Sequence, residues 1–554
     1  METQGDINGR WASALIGGLA SAGVAHVVIS PGSRSTPLAL VCLRHPGLAC
    51  RVLLDERVAA FYALGLAKAT KTPVVLICTS GSAVANWHPA VAEADMGRIP
   101  LILLTADRPP ELQDCGANQT LAQPGLFGPQ LRASHALPPA EPSAAWLASL
   151  AARAVSQSLW PLPGPVQINV PFREPLLGAT PLPEPGLASG PRVALPRLLP
   201  ASNQIDDLVG VLSGRRGVIV AGAEALPAAA LARLAAALDW PILADPLSLL
   251  RFGPHDRTHI LARADTFLRG ACPAPERILR FGAPPVSKAT ETWLAAAHAV
   301  EVVVSADCRW PDPGRRARMV LHADPEVLAD AVADRVALPA PQGWMAAFRV
   351  AEQTAEALIA DAPVVERQVV EALVRQLPDD GLLFVGNSMP VRDVDSFSGT
   401  SSRRLTLLCN RGTSGIDGNL ASFFGAVASG RHARAVALVG DLTFLHDLGG
   451  LAAGQGLQAT IIVVDNGGGA IFGHLPQAVL PEFEAGWLTP QTADLAAAAA
   501  VWGHSYRKAT VADLDSVLAQ TSAGVAIVHL TIDRDASIAA HRDLAAAARA
   551  VKLG

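Results

Sequence analysis

The chain repeats one unit over its whole length: a short run of β-branched and other apolar residues, a turn, then an alanine-rich stretch long enough for a helix. In the first part the runs fall at 26–30, 52–54, 73–78 and 101–105, with helical stretches at 57–70 and 82–94. These runs are apolar throughout rather than alternating, the pattern of strands covered on both faces. Strand–helix alternation of this kind predicts an open parallel sheet with helices on both sides. Ligand sites in that architecture lie beyond the carboxyl ends of the strands.

The pattern recurs twice. Runs at 217–221, 241–244, 277–281 and 300–305 form a second block, and runs at 382–385, 405–408, 435–439, 460–464 and 526–531 form a third. Eight prolines between residues 171 and 200 separate the first two blocks and predict a stiff, extended linker. Pro339, Pro341 and Pro363 bracket the other junction, with a predicted helix at 344–359. The expected fold class is α/β, with three doubly wound parallel-sheet domains at 1–185, 186–345 and 346–554.

Composition removes several functions. Half of the 554 residues are hydrophobic and 17% are charged, which excludes a disordered chain. A net charge of −5 leaves no nucleic-acid footprint. No apolar run approaches the roughly 18 residues of a spanning helix, so no membrane association is expected. The first residues lack a basic region before an apolar stretch, which predicts no secretory signal. The seven cysteines are scattered without a CxxC, as thiols of a reducing compartment are, and predict a cytoplasmic protein.

Two places carry chemistry. Gly440-Asp441 closes the run at 435–439, and Asp465-Asn466-Gly467-Gly468 closes the run at 460–464. Were these runs neighbouring parallel strands, a carboxylate, an amide oxygen and a backbone carbonyl would meet at one sheet edge. Mg²⁺ takes such hard oxygen ligands, with phosphate oxygens completing its octahedron. Asp, Asn and Gly also dominate ordinary turns, so the residues alone leave a plain turn open. Glu56 follows the run VLLD and opens a helical stretch, where a carboxylate also simply favours a helix N-terminus.

Taken together, the strand-end Glu56 and the GD-x₂₄-N spacing resemble the thiamine diphosphate enzymes. The segments ISPGSRSTPLAL (29–40), LLTADRPPELQDCGANQT (103–120), VGNSMPVR (385–392), NRGTSGIDG (410–418) and GGGAIFGHLP (467–476) narrow the resemblance to one family. It is that of the 2-succinyl-5-enolpyruvyl-6-hydroxy-3-cyclohexene-1-carboxylate synthases of menaquinone biosynthesis. The resemblance implies a thiamine diphosphate-binding fold. Its first domain takes the aminopyrimidine, its central domain resembles a dinucleotide-binding fold, and its last domain takes the diphosphate and Mg²⁺, with Mn²⁺ as a substitute.

The implied reaction decarboxylates 2-oxoglutarate and adds the product in a 1,4-addition to isochorismate. Glu56 would hydrogen-bond the aminopyrimidine, and Ile416 would support the bent cofactor. Asp441, Asn466 and the Gly468 carbonyl would hold the metal, while Ser388 would reach the diphosphate or the substrate. Both substrates are dicarboxylates, which the forked guanidinium of arginine suits. Arg34, Arg108, Lys288, Arg392 and Arg411 are the implied grips, with Arg392 and Arg411 standing beside Glu56 as catalytic residues. Ser33, Asn118 and Gln119 add neutral donors, and Ile471, Phe472 and Leu475 would exclude water. A homodimer or homotetramer with sites between chains is implied.

There are departures from the pattern. Leu442 stands where thiamine diphosphate enzymes in general have glycine, a departure in which it resembles the synthases. Asp465 stands where they have asparagine, and is expected to point away from the metal. Ala289 stands where the synthases carry a second basic residue after Lys288, so one cationic contact is missing or supplied elsewhere. His135, His446, His474 and His541 lack metal-ligand spacing and are expected to pack or lie at the surface. Two alternatives are another thiamine diphosphate-dependent 2-oxoacid decarboxylase or carboligase, and a regulator binding a nucleotide at GVIVAGAEA (217–225). The second lacks the three-glycine fingerprint.

Overall fold

Parallel strands cannot be joined by tight turns, so each apolar run is followed by a crossover, usually a helix. The computed structural model describes residues 2–180, 190–225, 227–520 and 523–551. It contains three six-stranded sheets, parallel throughout. The first is built from β1 (His26–Ile29), β2 (Ala49–Val52), β3 (Val74–Cys78), β4 (Leu101–Asp107), β5 (Ala133–Ala136) and β6 (Pro165–Pro171), in the order β2-β1-β3-β4-β6-β5. The second uses β7 (Gly217–Ala221), β8 (Ile242–Ala244), β9 (Ile260–Leu261), β10 (Arg277–Phe281), β11 (Val300–Ser305) and β12 (Ala317–His322), ordered β12-β11-β10-β7-β8-β9. The third uses β13 (Gly381–Val385), β14 (Leu405–Leu408), β15 (Arg434–Gly440), β16 (Ala459–Asp465), β17 (Ser505–Ala509) and β18 (Val525–Thr531), ordered β14-β13-β15-β16-β18-β17. Every residue of β3, β4 and β13 is buried, as their unbroken apolar runs require.

The chain forms two compact units. The first holds residues 1–196, 410–431 and 443–458; the second holds 197–409, 432–442 and 459–554. In the first unit the helix Glu56–Thr70 crosses the helix Asn419–Ala428 at backbone distance. A Cβ on Gly65 would lie 1.8 Å from the Ser422 carbonyl oxygen, and one on Gly425 would lie 1.9 Å from that of Tyr62.

Several elements differ from the sequence expectation. The run at 52–54 is not the strand; β2 ends at Val52, and Leu54 is 82% exposed in the loop that follows. The stretch 82–94 breaks into two helices, Ser82–Ala85 and His88–Gly97, because Pro89 is suited to a helix start but not an interior. β6 escapes apolar-run reading because its interior carries Gln167 and Asn169. Both are buried and hydrogen-bonded, Asn169 to Thr105 at 2.8 Å and to Asp107 at 2.9 Å. β5, β9, β12 and β17 are short or partly polar and are also missed. The helix expected at 344–359 is Trp344–Asp361. Of the proline-rich linker, residues 181–189 lie outside the described residues, and 190–200 form no helix or strand. Among the described residues no helix is long and apolar enough to cross a membrane, and all seven cysteines are free.

Strand order reverses direction between β1 and β3, between β7 and β10, and between β13 and β15. Crevices open at such points and take ligands. In the middle sheet the crevice is closed by its own loops. Gly222 donates to the Phe281 carbonyl at 2.9 Å and Ala283 donates to that of Ala223 at 3.0 Å. A Cβ on Gly222 would lie 1.5 Å from the Ala283 oxygen, so backbone fills the place a pyrophosphate would take.

Candidate active site

In the second unit β15 and β16 are neighbours, with Gly440 opposite Val464. That register carries Asp441 and Asp465-Asn466 to the same sheet edge. Asp441 is 5% exposed. Burial, and next the charge of Asp465, push its carboxyl up to about 7, against backbone hydrogen bonds from Leu442 and Gly468. Asp465 is held by His529 Nε2 at 2.8 Å and by the Gly467 N–H at 3.0 Å, and His529 is backed by the Tyr506 hydroxyl at 2.7 Å. The histidine keeps the Asp465 carboxyl low, but the side chain does not point away as expected: it also hydrogen-bonds the side chain of Asp441, and its charge raises the Asp441 carboxyl. Asn466 Oδ1 is buried without a hydrogen-bond partner. Gly468 sits at φ +127 with its Cα against the Leu488 carbonyl, where a Cβ would come within 2.1 Å.

On the other side of the reversal point, the loop after β13 holds Ser388 at φ 73, a strained conformation for a residue with a Cβ. Its carbonyl accepts Arg392 Nη1 at 2.5 Å. The helix Met389–Phe397 then lines a cavity of about 580 Å³, shared by Lys288, Arg392, Ile471 and Leu475. Phe472 is half-buried in the same loop as Ile471 and Leu475. Beside Arg392, Asp393 is buried and bonded to His541 Nε2 at 3.2 Å. Burial alone would lower the His541 imidazole. Its bond to Asp393, the charges of Asp393 and Glu366, and the Ser537 carbonyl instead raise it to about 9.

In the first unit the loops after β1, β3 and β4 gather Ser33, Arg34, Ser80 and Arg108. Arg34 is buried and already engaged, donating to the Phe172 carbonyl and to Glu174, each at 2.9 Å. Arg108 donates to the Ser80 hydroxyl; burial, then the nearby charge of Arg34, lower its pKa. Gln119, at φ 57, donates to the Ser80 carbonyl at 3.0 Å, while Ser33 and Asn118 are exposed. Glu56 is half-buried at the start of its helix. The capping role is taken by Asp55, whose side chain accepts from Arg57 and Val58 at 2.8 and 3.2 Å, leaving the Glu56 carboxylate for other work. Arg411 and Ile416, both half-buried, belong to the loop that enters the helix Asn419–Ala428.

Residues 10–126 match the family described as thiamine pyrophosphate enzyme, N-terminal TPP binding domain, and residues 200–385 match the middle domain of thiamine pyrophosphate. The chain is 47% identical to the 2-succinyl-5-enolpyruvyl-6-hydroxy-3-cyclohexene-1-carboxylate synthase of Dechloromonas aromatica (strain RCB), over 91% of this chain and 94% of that one. The chain belongs to this synthase family. Proteins of the same name from Chloroflexus aurantiacus and Halobacterium salinarum are each 40% identical, covering 97% of this chain and 95% and 97% of theirs.

The residues present fit what a synthase of this family would hold. A buried amide oxygen without a partner, beside a buried carboxylate, suits a hard cation. Among the described residues no three His, Cys, Asp or Glu side chains cluster as a metal site, so beyond the Asp441 carboxylate a cation here would rely on amide, carbonyl and diphosphate oxygens.

Sequence reading missed the support beneath these groups. Glu93, 1% exposed, accepts from the Gly412 N–H at 2.8 Å and from the Thr413 N–H at 2.6 Å. Lys68 Nζ lies 3.4 Å from Glu93 and donates to Asn410 at 2.9 Å. This buried pair holds the Asn410 side chain before Arg411 and the backbone after it. Of the histidines considered, His135 bonds Gln157 at 2.8 Å, His446 ends a short helix, and His474 and His541 line the cavity.

Proposed function

We propose that the chain uses thiamine diphosphate, held through a divalent cation, to decarboxylate 2-oxoglutarate and add the remaining four-carbon unit to the ring of isochorismate. The products are 2-succinyl-5-enolpyruvyl-6-hydroxy-3-cyclohexene-1-carboxylate and CO₂, a step of menaquinone biosynthesis. The observation that carries this reading is the meeting of Asp441 and the unpartnered Asn466 Oδ1 at the ends of adjacent strands, in a chain of this family.

When bound, the cofactor supplies an electron sink at the carbon that loses CO₂. The protein's part is binding, proton holding and exclusion of water. Glu56 would hold a proton at the aminopyrimidine, and Ile416 would support the bent cofactor. Asp441, Asn466 and the Gly468 carbonyl would hold Mg²⁺, or Mn²⁺ in its place, and Ser388 would reach the diphosphate or the substrate. Arg392 and Arg411, with Arg34, Arg108 and Lys288, grip the carboxylates of the two substrates. Ser33, Asn118 and Gln119 add neutral hydrogen bonds. Ile471, Phe472 and Leu475 keep water from the reacting carbon. We place the enzyme in the cytoplasm as a homodimer or homotetramer, the assembly the family resemblance implies.

The test is turnover of 2-oxoglutarate with and without isochorismate, thiamine diphosphate and Mg²⁺, against pyruvate alone. Product formation that requires all four components supports the reading. Equal turnover of pyruvate would shift it to a general 2-oxoacid decarboxylase.

A further inference from the structure

The cavity of the second unit has a wall that the proposed reaction leaves unused. Besides Lys288 and Arg392, it is lined by Arg542 and Arg549 from the helix Arg534–Ala550. These two are seven residues apart, two helical turns, and so lie on one face about 10 Å apart along the axis. Between them on that face stands Ala545, which also lines the cavity and leaves the space between the two guanidinium groups open.

The charges in this cavity do not balance. Each carboxylate that lines it has its own cation: Asp265 pairs with Arg269 at 2.7 Å, Asp395 with Arg251 at 2.5 Å, and Asp393 with His541 at 3.2 Å. Among the described residues Lys288, Arg542 and Arg549 make no ion pair. Arg542 donates one Nη2 hydrogen bond to the Gly473 carbonyl at 2.6 Å and points its charge along the Ile471–Leu475 loop. The positive field is felt by His474, which burial and then the charges of His541 and Arg542 lower to about 4. Gathered cations with no counter-charge repel one another until an anion joins them.

We propose that Arg542 and Arg549 form a second carboxylate grip in this cavity, so that with Lys288 and Arg392 it takes both ends of a short dicarboxylic acid. The apolar side chains of Ile471 and Leu475 face the carbon chain between those ends. The inference rests on the dicarboxylate reading of the substrates. It adds residues of the last helix to the site, and it supplies cationic contact that Ala289 does not.

Glutarate, which has no keto group to react, tests the grip apart from the chemistry. Its binding is measured by calorimetry on the full-length protein loaded with thiamine diphosphate and Mg²⁺. Losing a charge-assisted hydrogen bond weakens binding by about tenfold or more, so R549Q and R542Q are each expected to lose about that factor. The KM of one substrate should rise with it, while kcat and thiamine diphosphate affinity stay within about twofold. R542Q also frees the Gly473 carbonyl; among the described residues Arg549 bonds no backbone group, so R549Q is the cleaner variant, and R542K should recover part of the loss. Glutarate affinity and both KM values within twofold of the parent in R549Q and R542Q would overturn the grip. Weakened glutarate binding in a protein that never consumes isochorismate would support the grip and count instead against the proposed reaction.

Discussion

Glu93 accepts a hydrogen bond from the backbone N–H of Gly412 at 2.8 Å, across 319 residues of sequence. The same carboxylate takes the next N–H, that of Thr413, and the Thr413 hydroxyl at 3.1 Å. A glycine is required at 412, because a Cβ there would lie 2.4 Å from the Glu93 carbonyl oxygen. Arg411 thus stands on backbone fixed by a buried ion pair rather than on a free loop.

Glu93→Gln should therefore be costly. The amide leaves one of the two N–H groups unpaired and strands the Lys68 charge in the interior. Breaking a buried pair from one side costs about 3–5 kcal/mol. The expected result is a lower urea midpoint than the parent, with partial recovery in the Glu93→Gln/Lys68→Met double variant. A double variant no more stable than Glu93→Gln alone would show that the two residues are not coupled.

Glu56 and Asp55 stand side by side, and their substitutions should separate function from stability. Asp55 caps the helix, so Asp55→Ala is expected to cost about 1 kcal/mol in unfolding experiments. Glu56→Gln should leave stability within about 0.5 kcal/mol. It should lower kcat by about 10²–10⁴-fold, the range of a lost general acid–base group, with thiamine diphosphate still bound. Full activity in Glu56→Gln would remove Glu56 from the chemistry.

Legibility in the sequence followed burial. β15 and β16 are covered on both faces and read as apolar runs, and their parallel register then brings Asp441 and Asn466 together. Edge and polar strands did not read in that way, because β2 is half-exposed and β6 buries hydrogen-bonded amides. Glu93 was illegible for another reason. It holds backbone N–H groups, which leave no side-chain pattern at their own positions. The cationic face of the last helix was hidden as well: its arginines sit in an alanine-rich amphipathic stretch, and only the fold shows that this face lines a cavity.

Asp441 supplies a carboxylate to the candidate cation site, and Asn466 Oδ1 its unpartnered amide oxygen. Asp441→Asn should raise the Mg²⁺ concentration needed for thiamine diphosphate binding by at least about tenfold, since losing even an outer partner of a metal ligand costs about 10–100-fold. Asn466→Ala should act in the same direction. Tryptophan fluorescence titrations with cofactor at several Mg²⁺ concentrations report the effect without turnover. Unchanged Mg²⁺ dependence in both variants would move the cation elsewhere.

The Asp393–His541 pair should make stability depend on pH. A histidine whose folded pKa is raised stabilises the fold fully below its unfolded value, near 6.5, and ceases to do so as pH rises through the folded value. For His541 that value is about 9, a gap corresponding to about 3 kcal/mol. Asp393, Glu366 and the Ser537 carbonyl favour its charged form, while His474 and Arg542 lie close by. Between pH 7 and 9.5 the parent protein should lose thermal stability faster than His541→Gln, whereas near pH 6 Asp393, whose carboxyl burial raises to about 6, titrates and adds its own change. Asp393→Asn removes the main partner and should flatten the same window. Melting curves recorded across pH 6–10 check this, and parallel loss in all three proteins from pH 7 upward would mean that the imidazole is neutral in the folded state.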